Sequence, residues 1–277
     1  MKLNFELKFG AVIGIIIVTM SLLSFFWVPH DYNQMDHNIR LLPPSVNHLL
    51  GTDNFGRDIF SRIMAGGRNS LLLAVCTVAG AAAAGSLLGL LSGYIGGAAG
   101  EIIMRFIDTI NSFPGIVFAL LLVAVMDNGL AGGQANGQAT GQVTLFIALL
   151  IIFIPSFTRV MRTGAMQYKN AVFVQAERII GAGYLRITFL HIMPNVAPSL
   201  LSASVLGLSN AILAEAAMSY LGMGIQPPEP SWGRMLHEAQ TFFLSAPWYA
   251  LAPGIFIMLT VIAFHMLGEG LRRRFGG

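Results

Sequence analysis

The sequence predicts an all-α membrane protein, a polytopic bundle of about six transmembrane helices. Three observations carry that class. First, 55% of the 277 residues are hydrophobic and only 10% are charged, whereas a water-soluble domain carries about 25% charged residues. So few charges cannot cover a water-facing surface of this size. Second, a mean hydropathy of +0.69 is concentrated in runs of about 20 residues, the length that crosses the hydrocarbon core. Third, the basic residues are distributed unevenly between alternate loops, as membrane topology requires.

Six segments fit a span. They are Phe9–Val28, a stretch within Asn69–Gly100, Phe106–Met126 with Asp108 near its start, Val143–Arg159, Pro194–Leu221 with Glu215 late in it, and Trp248–Gly268. The first resembles a secretory signal, because Lys2 and Lys8 precede it. Its 20 uncharged residues exceed the roughly 7–15 of a signal's apolar region, and no small-x-small cleavage pattern follows, so it reads as a retained helix. With the N-terminus inside, 11 of the 16 Lys and Arg residues fall in cytoplasmic segments and five (Arg40, Arg57, Arg62, Arg68 and Arg234) fall outside. Both termini are therefore expected in the cytoplasm.

The organisation divides into an N-terminal transmembrane helix (1–29), an external segment (30–68) and a core (69–277) containing a cytoplasmic loop (160–193). In the external segment Phe55, Ile59, Phe60, Ile63 and Met64 recur at helical spacing, with Arg57, Asp58 and Arg62 between them. That pattern predicts an amphipathic helix in the outer interface plane, its arginines beside lipid phosphates. Asp53, Arg57 and Asp58 form a local salt-bridged turn or shape an external mouth. Residues 127–142, rich in Gly, Asn, Gln and Ala, read as a flexible external loop. The QPPEP run within 222–247 forbids continuous helix there. Gly85, Gly89, Gly93 and Gly97 share one helix face and predict close packing of a neighbouring helix, with a substrate path as the sharper reading. Pro114 and Pro155 predict kinks.

The small net charge of +3 is spread over the chain, so no nucleic-acid partner is expected. The single cysteine, Cys76, excludes an internal disulfide and a Cys-pair metal site. The six histidines (His30, His37, His48, His191, His237 and His265) show no metal-ligand spacing on one element, and no metal is assigned. Paired catalytic carboxylates, an H-E-x-x-H motif and a nucleophile with its base do not stand out, so no enzyme is expected. A phosphate-binding loop needs G-x-x-x-x-G-K-[ST], yet the only lysines, Lys2, Lys8 and Lys169, follow no such run. Power must come from a partner or from an ion gradient. Asp108 and Glu215 are the charges nearest the membrane core and are functional candidates. Arg105, three residues before Asp108, is its expected partner, and both acids are expected near helix ends.

Residues 172–195 read as a short helix, a Gly-x-Gly break, a second amphipathic piece, and Pro194 at the first turn of the next helix. Phe173, Ile179, Ile180, Leu185 and Phe189 mix there with Arg178 and Arg186. Such a cytoplasmic patch suggests docking to a protein; an amphipathic loop on lipid is the plainer reading.

This loop resembles the EAA loop of permease subunits of bacterial ABC importers, written EAA, three residues, Gly, nine residues, then I-x-L-P. Gln175, Ala176 and Glu177 occupy the triplet, Gly181 follows at the right distance, and His191, Ile192, Met193 and Pro194 close it. The spacing matches; Gln175 and Glu177 depart from the family Glu and Ala, and His191 and Met193 from its Ile and Leu. Residues 49–71 (LLGTDNFGRDIFSRIMAGGRNSL), 104–114 (MRFIDTINSFP) and 215–236 (EAAMSYLGMGIQPPEPSWGRML) resemble the dipeptide/oligopeptide/nickel importer permeases, C-type subunit.

The resemblance implies a type I ABC importer permease in the bacterial plasma membrane, importing di- or oligopeptides or a related small solute, with nickel or a metal chelate as an alternative. It implies as partners a homologous B-type permease, two cytoplasmic ATPase subunits that hold ATP and Mg, and an extracytoplasmic solute-binding protein; this chain would bind no cofactor. Gln175, Ala176, Glu177, Arg178, Gly181, Ala182, Gly183 and Pro194 would form the ATPase-coupling loop. Asp108, Glu215, Trp232, Arg57 and Asp58 are candidates for the pore or external mouth. An ion-coupled secondary transporter is the alternative of another class; it is recognised by repeat halves and midplane ionisable residues, which this chain does not display.

Overall fold

The structure is a computed structural model and describes residues 5–130 and 138–275. In chain order the helices are α1 (Phe5–Leu23), α2 (Ile59–Ile95), α3 (Gly97–Asn111), α4 (Gly115–Leu130), α5 (Gln138–Tyr168), α6 (Val172–Ile179), α7 (Tyr184–Arg186), α8 (Met193–Tyr220), α9 (Trp232–Ala239) and α10 (Pro247–Phe275). The all-α class stands: among the described residues the only β pairing is an isolated bridge between Thr52 and Asp58. Five helical segments are long and apolar enough to cross a membrane, and α3 with α4 makes a sixth if that pair, bent by 89°, is one span. The bend lies at Ser112–Pro114, where proline cannot continue a helix, so the expected span Phe106–Met126 is a broken one. Pro155, by contrast, lies inside α5.

The largest departure concerns the external segment. No separate helix lies in an interface over 55–64. α2 itself begins at Ile59 and runs 37 residues to Ile95. Ile59, Ile63 and Met64 are buried, and Arg62 is as buried as they are. The apolar spacing was that of a core-facing helix whose arginines pair within the protein instead of with lipid phosphate. The 127–142 loop is shorter than expected, since α4 reaches Leu130 and α5 starts at Gln138; the remainder of that expectation lies outside the described residues.

Small residues let the helices approach. In a membrane the hydrophobic effect does not drive helix against helix, so close backbone packing must do so. A Cβ on Gly85 would stand 2.6 Å from Phe157 Cβ, one on Gly93 2.7 Å from the Arg162 carbonyl, and one on Gly89 would fall on the Thr158 carbonyl. These three glycines form the groove that receives α5. The fourth of the row, Gly97, has no atom within 4 Å of a would-be Cβ and turns the corner into α3 with φ +57°. The α1–α10 contact works alike, with Gly10 against Ala263 and Gly270 against Leu7.

Two buried clusters mark opposite ends of α2. At its N-terminal end Ile59, Ile63, Trp232, Met235 and Tyr249 belong to a core shared with α1, α8, α9 and α10. Near its C-terminal end Leu90 and Tyr94 pack with Met161, Ala165, Val174, Ile187, Ile192 and Val196. A helix of 37 residues is about 55 Å long at about 1.5 Å per residue, well beyond the roughly 30 Å hydrocarbon core.

Candidate functional site: a docking loop and an external cap

The 172–195 segment folds as an excursion from the end of α5 to the start of α8. α6 buries one side chain, Val174, in the cluster at the C-terminal end of α2. Gln175, Ala176 and Arg178 are exposed, as are Val172, Ile179 (87%) and Ile180 (77%). Gln175 Nε2 donates to the Asn170 carbonyl at 3.0 Å. Glu177 faces His191 across 3.5 Å, so two positions where the identities depart from the EAA pattern stand opposite one another.

The glycine of the motif has a clear task. Ala182 N–H donates to the Glu177 carbonyl and Gly181 N–H to the Arg178 carbonyl, the paired bonds of a Schellman cap. That cap needs a left-handed residue, and Gly181 has φ +82°. Gly183 is the N-cap of α7. The second amphipathic piece is not a separate helix, because α7, a π-helical turn over Ile187–Ile192 and α8 run on without a break. The π turn has a cause. Pro194 has no N–H to offer the preceding turn, and the ladder widens there, with Met193 N–H reaching back to the Thr188 carbonyl.

Arg178 fastens the loop to the bundle. Its Nε donates to Tyr94 Oη at 3.2 Å, and its guanidinium lies 5.3 Å from the centre of that ring. The outward surface of Val172, Phe173, Ile179, Ile180, Tyr184, Leu185 and Phe189 is exposed and apolar, with Arg186 beside it. An apolar, arginine-bearing face is thus carried on a short anchored helix.

At the other end of α2 lies an ion network. Arg57 Nε donates to Asp53 Oδ2, and Arg57 Nη2 to Glu238 Oε2 at 2.9 Å. Arg62 approaches the same two carboxylates at 3.6 Å each. Arg234 adds a contact to Glu238 at 3.2 Å, and Tyr249 Oη shares its one proton between Glu238 at 3.2 Å and Asn54 at 3.1 Å. Buried charges persist only when paired, and here they tie residues 53–62 to α9 and α10. Asp58 is the N-cap of α2, accepting from Ser61 N–H at 2.8 Å.

The remaining candidates are placed differently from expectation. Trp232 does not line a mouth. It is fully buried, and its Nε1 donates to the Ile63 carbonyl at 3.0 Å. Asp108 pairs with Arg159 on α5 at 2.7 Å, not with Arg105, because α3 and α5 are neighbours and Asp108 points across rather than along its helix. Glu215 is fully buried among serines: Ser219 Oγ donates to it at 2.6 Å, and Ser70 and Ser231 stand around the same carboxyl group. Among the described residues no cation pairs with it. The residues of the 175–194 loop gather near the C-terminal end of α2, and Asp53, Arg57 and Asp58 at its N-terminal end; Asp108, Glu215 and Trp232 belong to neither group. Sequence reasoning missed Glu238, Tyr249, Asn54 and Tyr94. Glu238 was accessible through its helical i+4 spacing from Arg234; the others carry no local signal.

The chain matches, over residues 85–277, the family described as binding-protein-dependent transport system inner membrane component. It is 38% identical over 266 residues to a dipeptide transport system permease protein of Alkalihalophilus pseudofirmus, covering 95% of this chain and 84% of that protein. A dipeptide transport system permease protein of Haemophilus influenzae is 36% identical over 278 residues, covering 97% and 90%. A glutathione transport system permease protein of Pectobacterium atrosepticum is 37% identical over 259 residues, covering 93% and 82%.

Proposed function

The chain belongs to the family of binding-protein-dependent transport system inner membrane components, and from that membership we propose the role of C-type permease in an ABC importer whose cargo is a di- or oligopeptide or a glutathione-like small peptide. The family is one of transport permeases and not of enzymes. The relatives are named for dipeptide and glutathione transport, which supports peptide-like cargo over nickel or a metal chelate. Family membership also leaves no reason to retain the ion-coupled reading.

The observation that carries the mechanism is α6. Its exposed apolar and arginine-bearing face is held on the bundle by Val174, by the Arg178–Tyr94 contact and by the Gly181 cap. In our reading this face seats in a groove of a cytoplasmic ATPase subunit. Two such subunits hold ATP and Mg; this chain hydrolyses nothing. Closure of the ATPase pair moves α6, and the buried cluster passes that motion to α2, α5 and α8, biasing a bistable bundle from one side. A second, B-type permease completes the path, and an extracytoplasmic binding protein delivers the solute at the cap. Both termini lie in the cytoplasm of a bacterial cell.

The test is purification of the tagged chain from native membranes in mild detergent, with identification of what accompanies it. A second permease and ATPase subunits are the expected companions. Recovery of the chain alone or as a homo-oligomer, under conditions that hold related importers together, overturns the reading.

A further inference from the structure

His30 and His48 are far apart in sequence from each other and precede Asp58 by 28 and 10 positions; the external cap folds them onto one point. His48 Nδ1 lies 2.9 Å from Asp58 Oδ1, and His30 Nδ1 lies 3.8 Å from Asp58 Oδ2. One donor atom from each of the three residues falls within 4.8 Å of the other two, and the two imidazole centres are 4.7 Å apart. We propose that His30, His48 and Asp58 form a binding site for a divalent metal ion of the zinc class on the external cap.

Three features of the site support this. The first is the donor set. Two imidazoles and a carboxylate suit Zn²⁺ and its borderline neighbours, whereas Ca²⁺ and Mg²⁺ require oxygen donors. The second is charge. The Asp58 side chain is 2% exposed, and among the described residues its ion-pair partners are these two histidines and no Lys or Arg. The N-terminus of α2 and the Ser61 hydroxyl compensate part of its charge; a bound cation would compensate the rest. The third is preorganisation. Asp58 is oriented by Ser61 N–H at 2.8 Å and Ser61 Oγ at 2.7 Å, and the same Ser61 Oγ accepts the His30 backbone N–H at 3.0 Å. The His48 backbone is held by Ser45, with bonds of 2.8 and 3.2 Å.

The geometry needs little adjustment. Metal–donor bonds of about 2.0–2.1 Å place donors about 2.9–3.4 Å apart. The His48–Asp58 pair already has that separation. His30, with its side chain 44% exposed, must rotate inward by an ångström or so, and its open side leaves room for water as a further ligand. His48 would coordinate through Nδ1 as the neutral tautomer with its proton on Nε2. The ion would staple the chain after α1, the 45–51 turn and the N-terminus of α2 together. It is a resident ligand, separate from the transported solute.

The experiment uses the intact importer complex carrying a histidine-free affinity tag, stripped with chelator and free of transport substrate and nucleotide. Co²⁺ and then Zn²⁺ are titrated in. The expected result is one Co²⁺ per copy of this chain with visible d–d absorption that Zn²⁺ abolishes. His30→Ala and His48→Gln should each weaken binding by at least about tenfold, a loss that even outer-shell partners of a metal produce. His48→Gln retains an N–H for Asp58 and so separates loss of a ligand from loss of the cap. His237→Ala, at a half-buried histidine on α9 that bonds the Tyr220 carbonyl, should bind as the unaltered complex does. Absence of stoichiometric Co²⁺ binding, or undiminished affinity in His30→Ala or in His48→Gln, overturns the proposal.

Discussion

Replacing Glu238 with Gln should loosen the polar cap at the N-terminal end of α2. Glu238 and Asp53 together face the guanidinium groups of Arg57 and Arg62, whose side chains are 3% and 1% exposed. Glu238→Gln keeps the size and the acceptor for Tyr249 but leaves two buried cations against one carboxylate. Removing one partner of a buried pair costs about 3–5 kcal/mol. Glu238 is itself 10% exposed, so the lower end, about 3 kcal/mol, is expected. For a chain of this size about 2–4 °C of melting temperature accompany each kcal/mol, giving a fall of about 6–12 °C. The assay is the thermal transition of the detergent-purified importer followed by tryptophan fluorescence. Adding Arg57→Gln should give a double variant that loses less than the sum of the two single losses, because the two sites share one network and their effects do not add. A fall of less than about 2 °C, or a double variant no better than the sum of the two singles, would refute the charge-balance argument.

Four further outcomes follow from other contacts. Gly181→Ala meets no atom within 4 Å but must hold φ +82°, a strain of about 1–2 kcal/mol; ATPase subunits should be lost from the purified complex while the chain stays in the membrane. Gly89→Ala drives a Cβ into the Thr158 carbonyl and Met161, and the melting temperature should fall by the equivalent of about 1–3 kcal/mol. Gly254→Ala, whose nearest neighbour would be Leu236 Cδ2 at 3.9 Å, should leave the melting temperature unchanged or raise it slightly, by up to about 1 kcal/mol. Asp108→Asn breaks a pair whose side chains are 57% and 47% exposed, so its effect in the same melting assay should stay below about 1 kcal/mol.

The class of fold was legible because lipid imposes its requirement residue by residue. Each span must be apolar over its own length, and that property survives without any tertiary information. The backbone course of residues 172–195 was legible for a related reason: a Schellman glycine, a proline and a fixed spacing are local. What was not legible depends on partners remote in sequence. The spacing of Ile59, Ile63 and Met64 is the same for a helix lying on lipid and for one facing a core, and only the burial of Arg62 against Asp53 and Glu238 decides between them. Asp108 had a cation one turn away on its own helix, yet it bonds Arg159, 51 positions on. Trp232 stood among the mouth candidates within the 215–236 stretch, whereas Gly67 opposite it leaves the space that its ring fills.

The two ends of α2 show why function was easier to read than the site's detail. At the Asp58 end nearly every charge is answered within the chain: Asp53, Arg57, Arg62 and Glu238 satisfy one another and leave a closed polar cap. At the Tyr94 end the opposite holds. Val174 anchors α6, and then Val172, Ile179, Ile180 and Leu185 turn outward without burial. A chain that could bury those side chains against itself would gain from doing so, and the Gly181 cap holds them outside instead. In the role proposed above, the exposed apolar face that this left-handed glycine maintains is the one the ATPase partner would cover. The same α2 is braced over its C-terminal half by the glycine groove that receives α5, so in the role proposed above a displacement imposed at α6 would be resisted at the Asp58 end and taken up by the bundle between.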